Sequence, residues 1–179
     1  MFLYHYYEES TGPFKNLSDL SLNGAEEVLR SIRENRPSSM AAGRDLAYME
    51  KRINYEMLAR NLFIEKGGKP TRKSPHYMVV EECEWLKSWY VNGCYVKIPV
   101  EEFQFNKISF TYGDMFPTFS SAINDEKEYR KKVYTYSEIL SVIEKYGLPQ
   151  QWNSDGKFGP ERYIEVQVWS DKTIQRYCK

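Results

Sequence analysis

The chain has little of what most sites of recognisable chemistry are built from. Only two histidines, His5 and His76, occur in 179 residues. The three cysteines, Cys83, Cys94 and Cys178, share no ligand spacing, so a zinc site of the usual kind cannot be assembled. An odd cysteine count is also a poor disulfide framework, and the three read as reduced, packed thiols. No Gly-x4-Gly-Lys-Ser/Thr loop and no Gly-x-Gly-x-x-Gly turn is present to cradle a phosphate. Gly-x-Ser-x-Gly is missing too, so no hydrolase nucleophile elbow is indicated. Charge of one sign is not in excess, since Lys+Arg and Asp+Glu both count 25; this argues against bulk nucleic-acid binding. No stretch approaches the ~20 apolar residues of a membrane span. The N-terminus MFLYHYYEES has no basic region, and the expectation is a cytoplasmic protein without a membrane partner.

Aromatic residues are what the chain has in quantity, with 15 tyrosines, 9 phenylalanines and 4 tryptophans. They concentrate in short segments of strand character. Residues 2–7, FLYHYY, read as a strand ended by Ser-Thr-Gly-Pro. Residues 23–35 read as a helix capped by Asn23, with Ala25, Val28, Leu29 and Ile32 on one face and Pro37 as its stop. A longer helix is expected over 43–66, its buried stripe carrying Leu46, Met49, Ile53, Met57 and Ile64, widened by Leu58 and Leu62. Gly67-Gly68 ends it. The segment 69–75 is a basic loop. Strands follow at 76–82, 94–100 and 107–112, with a short helix or turn over 84–90. Residues 113–132 lose periodicity, begin aromatic and end charged, as a long functional loop or lid would. Thr135 and Glu138 form a capping box for a helix that Gly147 ends. Residues 162–169 alternate cleanly, with Ile164, Val166 and Val168 on one face and Tyr163, Glu165, Gln167 and Trp169 on the other. Helices early and strands late predict an α+β fold: a single domain over 1–179, with a mixed or antiparallel sheet and about three main helices.

Three places can carry chemistry. On the last strand, Glu165 and Gln167 set a carboxylate and an amide between aromatic walls. That pattern suits a sugar or nucleotide if the face lines a cleft, and an ordinary surface if it does not. His5 sits inside an aromatic strand, where a histidine is either a satisfied hydrogen-bonding residue or a ligand-facing one. The run from Ser109 to Asp114 ends a strand with hydroxyls, a glycine and a carboxylate, and reads as a site or as a turn.

These residues resemble the ADP-ribosyltransferase superfamily. Leu3-Tyr4-His5-Tyr6-Tyr7 stands where members open with a histidine-bearing strand. Arg162-Tyr163-Ile164-Glu165-Val166-Gln167-Val168 is similar to the late strand that carries the catalytic glutamate in DNA-targeting members, and Ser109-Phe110-Thr111-Tyr112 stands at their middle strand. The resemblance implies NAD as substrate and a macromolecular acceptor that the sequence does not identify. It implies that His5 holds a ribose or the carboxamide end of NAD and that Tyr112 or Tyr77 stacks on nicotinamide, with Ser109 and Gln167 nearby. Glu165 would bind the ribose 2′-hydroxyl and stabilise the oxocarbenium-like charge. That reading requires His5 and Glu165 to face one cavity, and two opposite sides of the sheet would count against it. The residues by themselves are also compatible with a module that binds a nucleotide without turnover, or with a protein–protein interaction domain anchored by exposed aromatics.

Overall fold

A computed structural model describes residues 1–45 and 47–178. Five strands, β1 (Phe2–Glu8), β2 (His76–Val80), β3 (Gly93–Pro99), β4 (Ile108–Thr111) and β5 (Glu165–Val168), form one sheet in the order β3-β1-β2-β5-β4. Every pairing is antiparallel. The longer helices are α1 (Leu22–Asn35) and α2 (Tyr48–Glu65), both between β1 and β2. Single turns α3 (Glu84–Lys87) and α4 (Met115–Phe119) come next, then a third long helix, α5 (Tyr136–Tyr146), between β4 and β5. The architecture is α+β, as the element order predicts.

Because side chains alternate across a strand, the register assigns each residue to a face. Met78 pairs with Val166 and Val166 with Phe110, giving an apolar face that includes Leu3, Val80, Ile108, Ile164 and Val168. Helix α5 supplies Ile139 to that face. Its capping box forms as expected, with Thr135 and Glu138 each bonding the other's backbone, a device that contributes about 1 kcal/mol. The opposite face carries Tyr4, Val79, Tyr77, Glu165, Gln167, Ser109 and Thr111. Helix α2 covers part of it, packing Ala59 and Phe63 against Trp169, Met115 and Phe119. Helix α1 leans on α2 through Ala25, Leu29 and Met49.

Several elements differ from the sequence reading. Helix α1 is capped by Ser21, whose hydroxyl accepts from the Gly24 N–H, and so begins ahead of Asn23. The long helix starts at Tyr48; Met40–Gly43 make a separate turn, and Leu46 lies outside the described residues. The larger correction is which side of α2 is buried. Met57, Leu58 and Ile64 are exposed, while Met49, Glu56, Ala59 and Phe63 are buried. The small side chain of Ala59 lets the helix approach the sheet, and Arg52 and Glu56 turn inward because polar partners await them there. The 113–132 segment is also more ordered than a free lid. It contains α4, and its charged end is pinned by Lys127 and Arg130 against the fully buried Glu161. Among the described residues no helix is long and apolar enough to cross a membrane.

Candidate functional site

The strands β1 and β2 pair only at Leu3 with Val80 and Tyr4 with Val79, whereas β1 stays in register with β3 along all seven residues. Beyond Tyr4 the two neighbours part. The side chain of His5 occupies the parting: Nδ1 lies 2.8 Å from the Tyr77 carbonyl oxygen, and Nε2 accepts the Phe14 N–H at 2.8 Å. One nitrogen must donate and the other accept, which fixes a neutral ring with its proton on Nδ1. Burial drives the His5 pKa down to about 4, with the nearby His76 adding to the shift and the Tyr77 hydrogen bond opposing it. The ring also stacks on Phe14 at 4.1 Å. Phe14 has φ +57°, a conformation uncommon for a bulky residue. His5 therefore holds a bent loop onto the sheet.

A cleft of about 710 Å³ opens beside this parting. That volume is in the range of small-molecule sites, roughly 300–1,000 Å³. Its floor is the polar face of the sheet. Glu165, only 7% exposed, borders it and accepts a hydrogen bond from Gln167 Nε2 at 3.0 Å. The amide is oriented from behind. Ser109 donates to Gln167 Oε1 and accepts from the Trp169 indole N–H, while the Gln167 amide also donates to Thr111. Fully satisfied networks of this kind fix one geometry. Burial, then the negative charge of Asp114, push the Glu165 carboxyl well above the usual carboxylate range, against the Gln167 hydrogen bond and Arg52.

Asp114 lies on the same cleft, at the start of α4. Its carboxylate accepts the Phe116 N–H at 2.7 Å and the Tyr163 hydroxyl at 2.8 Å. Gly113, with φ +109° and Glu161 Cγ 3.3 Å from where a Cβ would sit, makes the turn that delivers Asp114 there. On the α2 side, the Arg52 guanidinium bonds Ser18, Glu56, Tyr48 and Asn16 and lies over the Tyr77 ring at 4.6 Å. The Tyr77 hydroxyl donates to Glu56 at 2.6 Å. The Tyr48 ring stacks on Phe116 and also lies beneath the Arg44 guanidinium.

Compared with protein-family models, with curated proteins and with solved structures, this chain matches none.

The register sorts the residues anticipated from sequence. Glu165 and Tyr77 border the cleft, and Gln167 and Ser109 support Glu165 from beneath, fully buried. His5 borders the same cleft, but its place in β1 falls on the Leu3 face, opposite to Glu165. The parting of β1 and β2 is what lets one cavity reach both. With both ring nitrogens engaged by backbone, His5 has no hydrogen bond left for a ligand, so the NAD-holding role expected of it does not fit. Tyr112 does not fit either. It sits fully buried on the opposite face, packed against Tyr129 and Tyr146, with its hydroxyl donating to the Gly147 carbonyl. The cause is the alternation along β4 and just past its end. Ser109 and Thr111 take the polar face, so Phe110 and Tyr112 take the apolar one.

Asp114 is the carboxylate of the candidate run that begins at Ser109, which the sequence leaves open as a site or a turn. Of the Arg52–Glu56–Tyr77 cluster the sequence reading reaches only Tyr77; Arg52 and Glu56 are missed. The one available signal was their i, i+4 spacing as an oppositely charged pair on one helix.

Proposed function

We propose that the cleft takes a nucleotide-type small molecule and that the protein transfers ADP-ribose from NAD, with Glu165 beside the reacting ribose. The observation that carries this reading is the placement of Glu165. It is held from behind by Gln167, walled by Tyr163 and Tyr77, and borders a cleft of ligand size. When nicotinamide leaves with the electron pair of the glycosidic bond, positive charge develops on the ribose. A carboxyl oxygen that accepts the hydrogen bond of the 2′-hydroxyl, in a site shielded from water, sets its dipole against that charge. Arg36 and Arg44 border the cleft as well and suit the pyrophosphate. Aromatic side chains around a concavity favour a small ligand over a flat protein partner.

The test is nicotinamide release from labelled NAD by the wild-type chain and by Glu165→Ala. We expect release by the wild type and a loss of about 100-fold or more in the variant, the scale of removing one group that stabilises transition-state charge. Equal release by both proteins would end the catalytic role of Glu165.

One observation favours a second reading, binding without turnover. The ring nitrogens of His5 are both committed to backbone, so transfer must proceed without the histidine contact that the resemblance implies. Thermal melts with NAD and with ADP-ribose separate the two. A ligand at 100 times its Kd stabilises by about 2.7 kcal/mol. A melting shift with no nicotinamide release selects the binding module, and no shift with either compound counts against both readings.

A further inference from the structure

We propose that Asp114 is a second catalytic carboxylate of this cleft, the base that takes the proton from the attacking acceptor, with Glu165 set beside it as the hydrogen-bonding partner of the ribose. The inference rests on the transfer reading above and adds a residue to it.

Geometry supports the pair first. Glu165 and Thr111 are cross-strand partners, and Asp114 follows Thr111 by one tight turn, so the fold brings both carboxyl groups to the same cleft. The turn is fixed at two points: Thr111 Oγ1 donates to the Gly113 carbonyl at 2.8 Å, and Asp114 caps α4 through the Phe116 N–H. The two carboxyl groups have different surroundings. Asp114 receives two donors, the Phe116 N–H and the Tyr163 hydroxyl. Among the described residues, Glu165 receives the Gln167 amide alone. The charged and titratable groups that face Glu165 are Asp114 at the start of α4, Arg52 and Glu56 on α2, Tyr77 on β2 and Tyr163 beside β5. Burial and the Asp114 charge outweigh Arg52 there, so Glu165 is the member of the pair that retains a proton. Two carboxyl groups with different hydrogen-bonding surroundings divide acid and base roles between them.

The step balances. The ribose C1′–nitrogen bond breaks and its electron pair leaves with nicotinamide, which needs no proton because the departing ring was a cation. The acceptor oxygen or nitrogen bonds C1′, and its proton passes to the Asp114 carboxylate.

The experiment uses the full chain, NAD as the ligand and water as the acceptor. Asp114→Asn keeps the helix cap; it should bind NAD within about twofold of wild type and release nicotinamide about 100-fold more slowly, the low end of general-base effects. Glu165→Gln should keep more activity than Glu165→Ala. A wild-type rate in Asp114→Asn overturns the proposal. Carbon-13 carboxyl titration of wild type and Asp114→Asn gives a readout without turnover. The Glu165 midpoint should fall when Asp114 is neutralised; an unmoved midpoint overturns the pairing. A wild-type chain that releases no nicotinamide, with the midpoint still coupled, ends the transfer reading and with it the base role of Asp114, while the coupling itself stands.

Discussion

His5 and Glu165 border the same cleft, and both are polar groups placed among aromatic rings, yet they are bound in opposite ways. His5 uses both of its ring nitrogens on the protein's own backbone, at Tyr77 and Phe14. Glu165 is supported by one side-chain amide and faces another acid. A polar group whose partners are all internal builds structure. One held at an unfavourable protonation balance beside a cavity costs stability and is a candidate for chemistry. Two residues that look alike in sequence are separated by what they are bonded to.

Four measurements probe that contrast. His5→Ala should cost the most stability, because it leaves the Tyr77 carbonyl and the Phe14 N–H without their partner and removes the ring that stacks on Phe14. A loss of about 2–5 kcal/mol in denaturant unfolding is expected; a loss under about 1 kcal/mol would remove His5 from its structural role. The second concerns acid. With its folded pKa near 4 and its unfolded value at 6.5, His5 binds a proton more readily in the unfolded chain. Its contribution is complete above about pH 6.5 and is lost as pH falls through 4. Each pKa unit is worth about 1.36 kcal/mol, so about 3 kcal/mol is at stake. Unfolding midpoints across that window, compared with those of His5→Phe, measure it, because the variant should lack this part of the acid sensitivity.

Glu165→Gln tests the other half of the contrast. The raised pKa of Glu165 means that the folded state holds its proton more tightly than the unfolded chain does. That contribution is complete below the ordinary carboxyl pKa and is lost as pH rises through the folded value. The amide has nothing to ionise, so the variant should match wild type below the ordinary carboxyl pKa and gain on it as pH rises. A variant less stable than wild type at the higher pH would make Glu165 a structural residue like His5. Thr135→Ala, remote from the cleft, should change least, at about 1 kcal/mol with no change in ligand binding.

The helix α5, with its capping box, and the alternation of Ile164, Val166 and Val168 were legible because their signals are local. The buried face of α2 was not. Arg52 and Glu56 read as solvent-facing charges in sequence; they turn inward because Ser18 and Tyr77, 34 and 21 residues away, complete their bonds. Met57 and Ile64 repeat at the spacing of a core stripe and lie outside. The same limit applied at the site. Glu165 was found from its own strand, whereas Asp114 gained its meaning from Tyr163, 49 residues on. Tyr112 was misplaced by one step of the alternation that puts neighbouring strand residues on opposite faces.

The parting of β1 from β2 has a mechanical consequence. The sheet is two ribbons, β3-β1 and β2-β5-β4. They are seamed by two residue pairs, the bond from the Glu81 N–H to the Phe2 carbonyl, those from the Phe2 N–H to the Glu81 carboxylate and from the Cys83 N–H to the Tyr6 hydroxyl, and one imidazole. Each of the other neighbouring strand pairs has four or more paired positions, so strain applied across the sheet falls on the fewest ladder bonds at that seam, which the cleft borders.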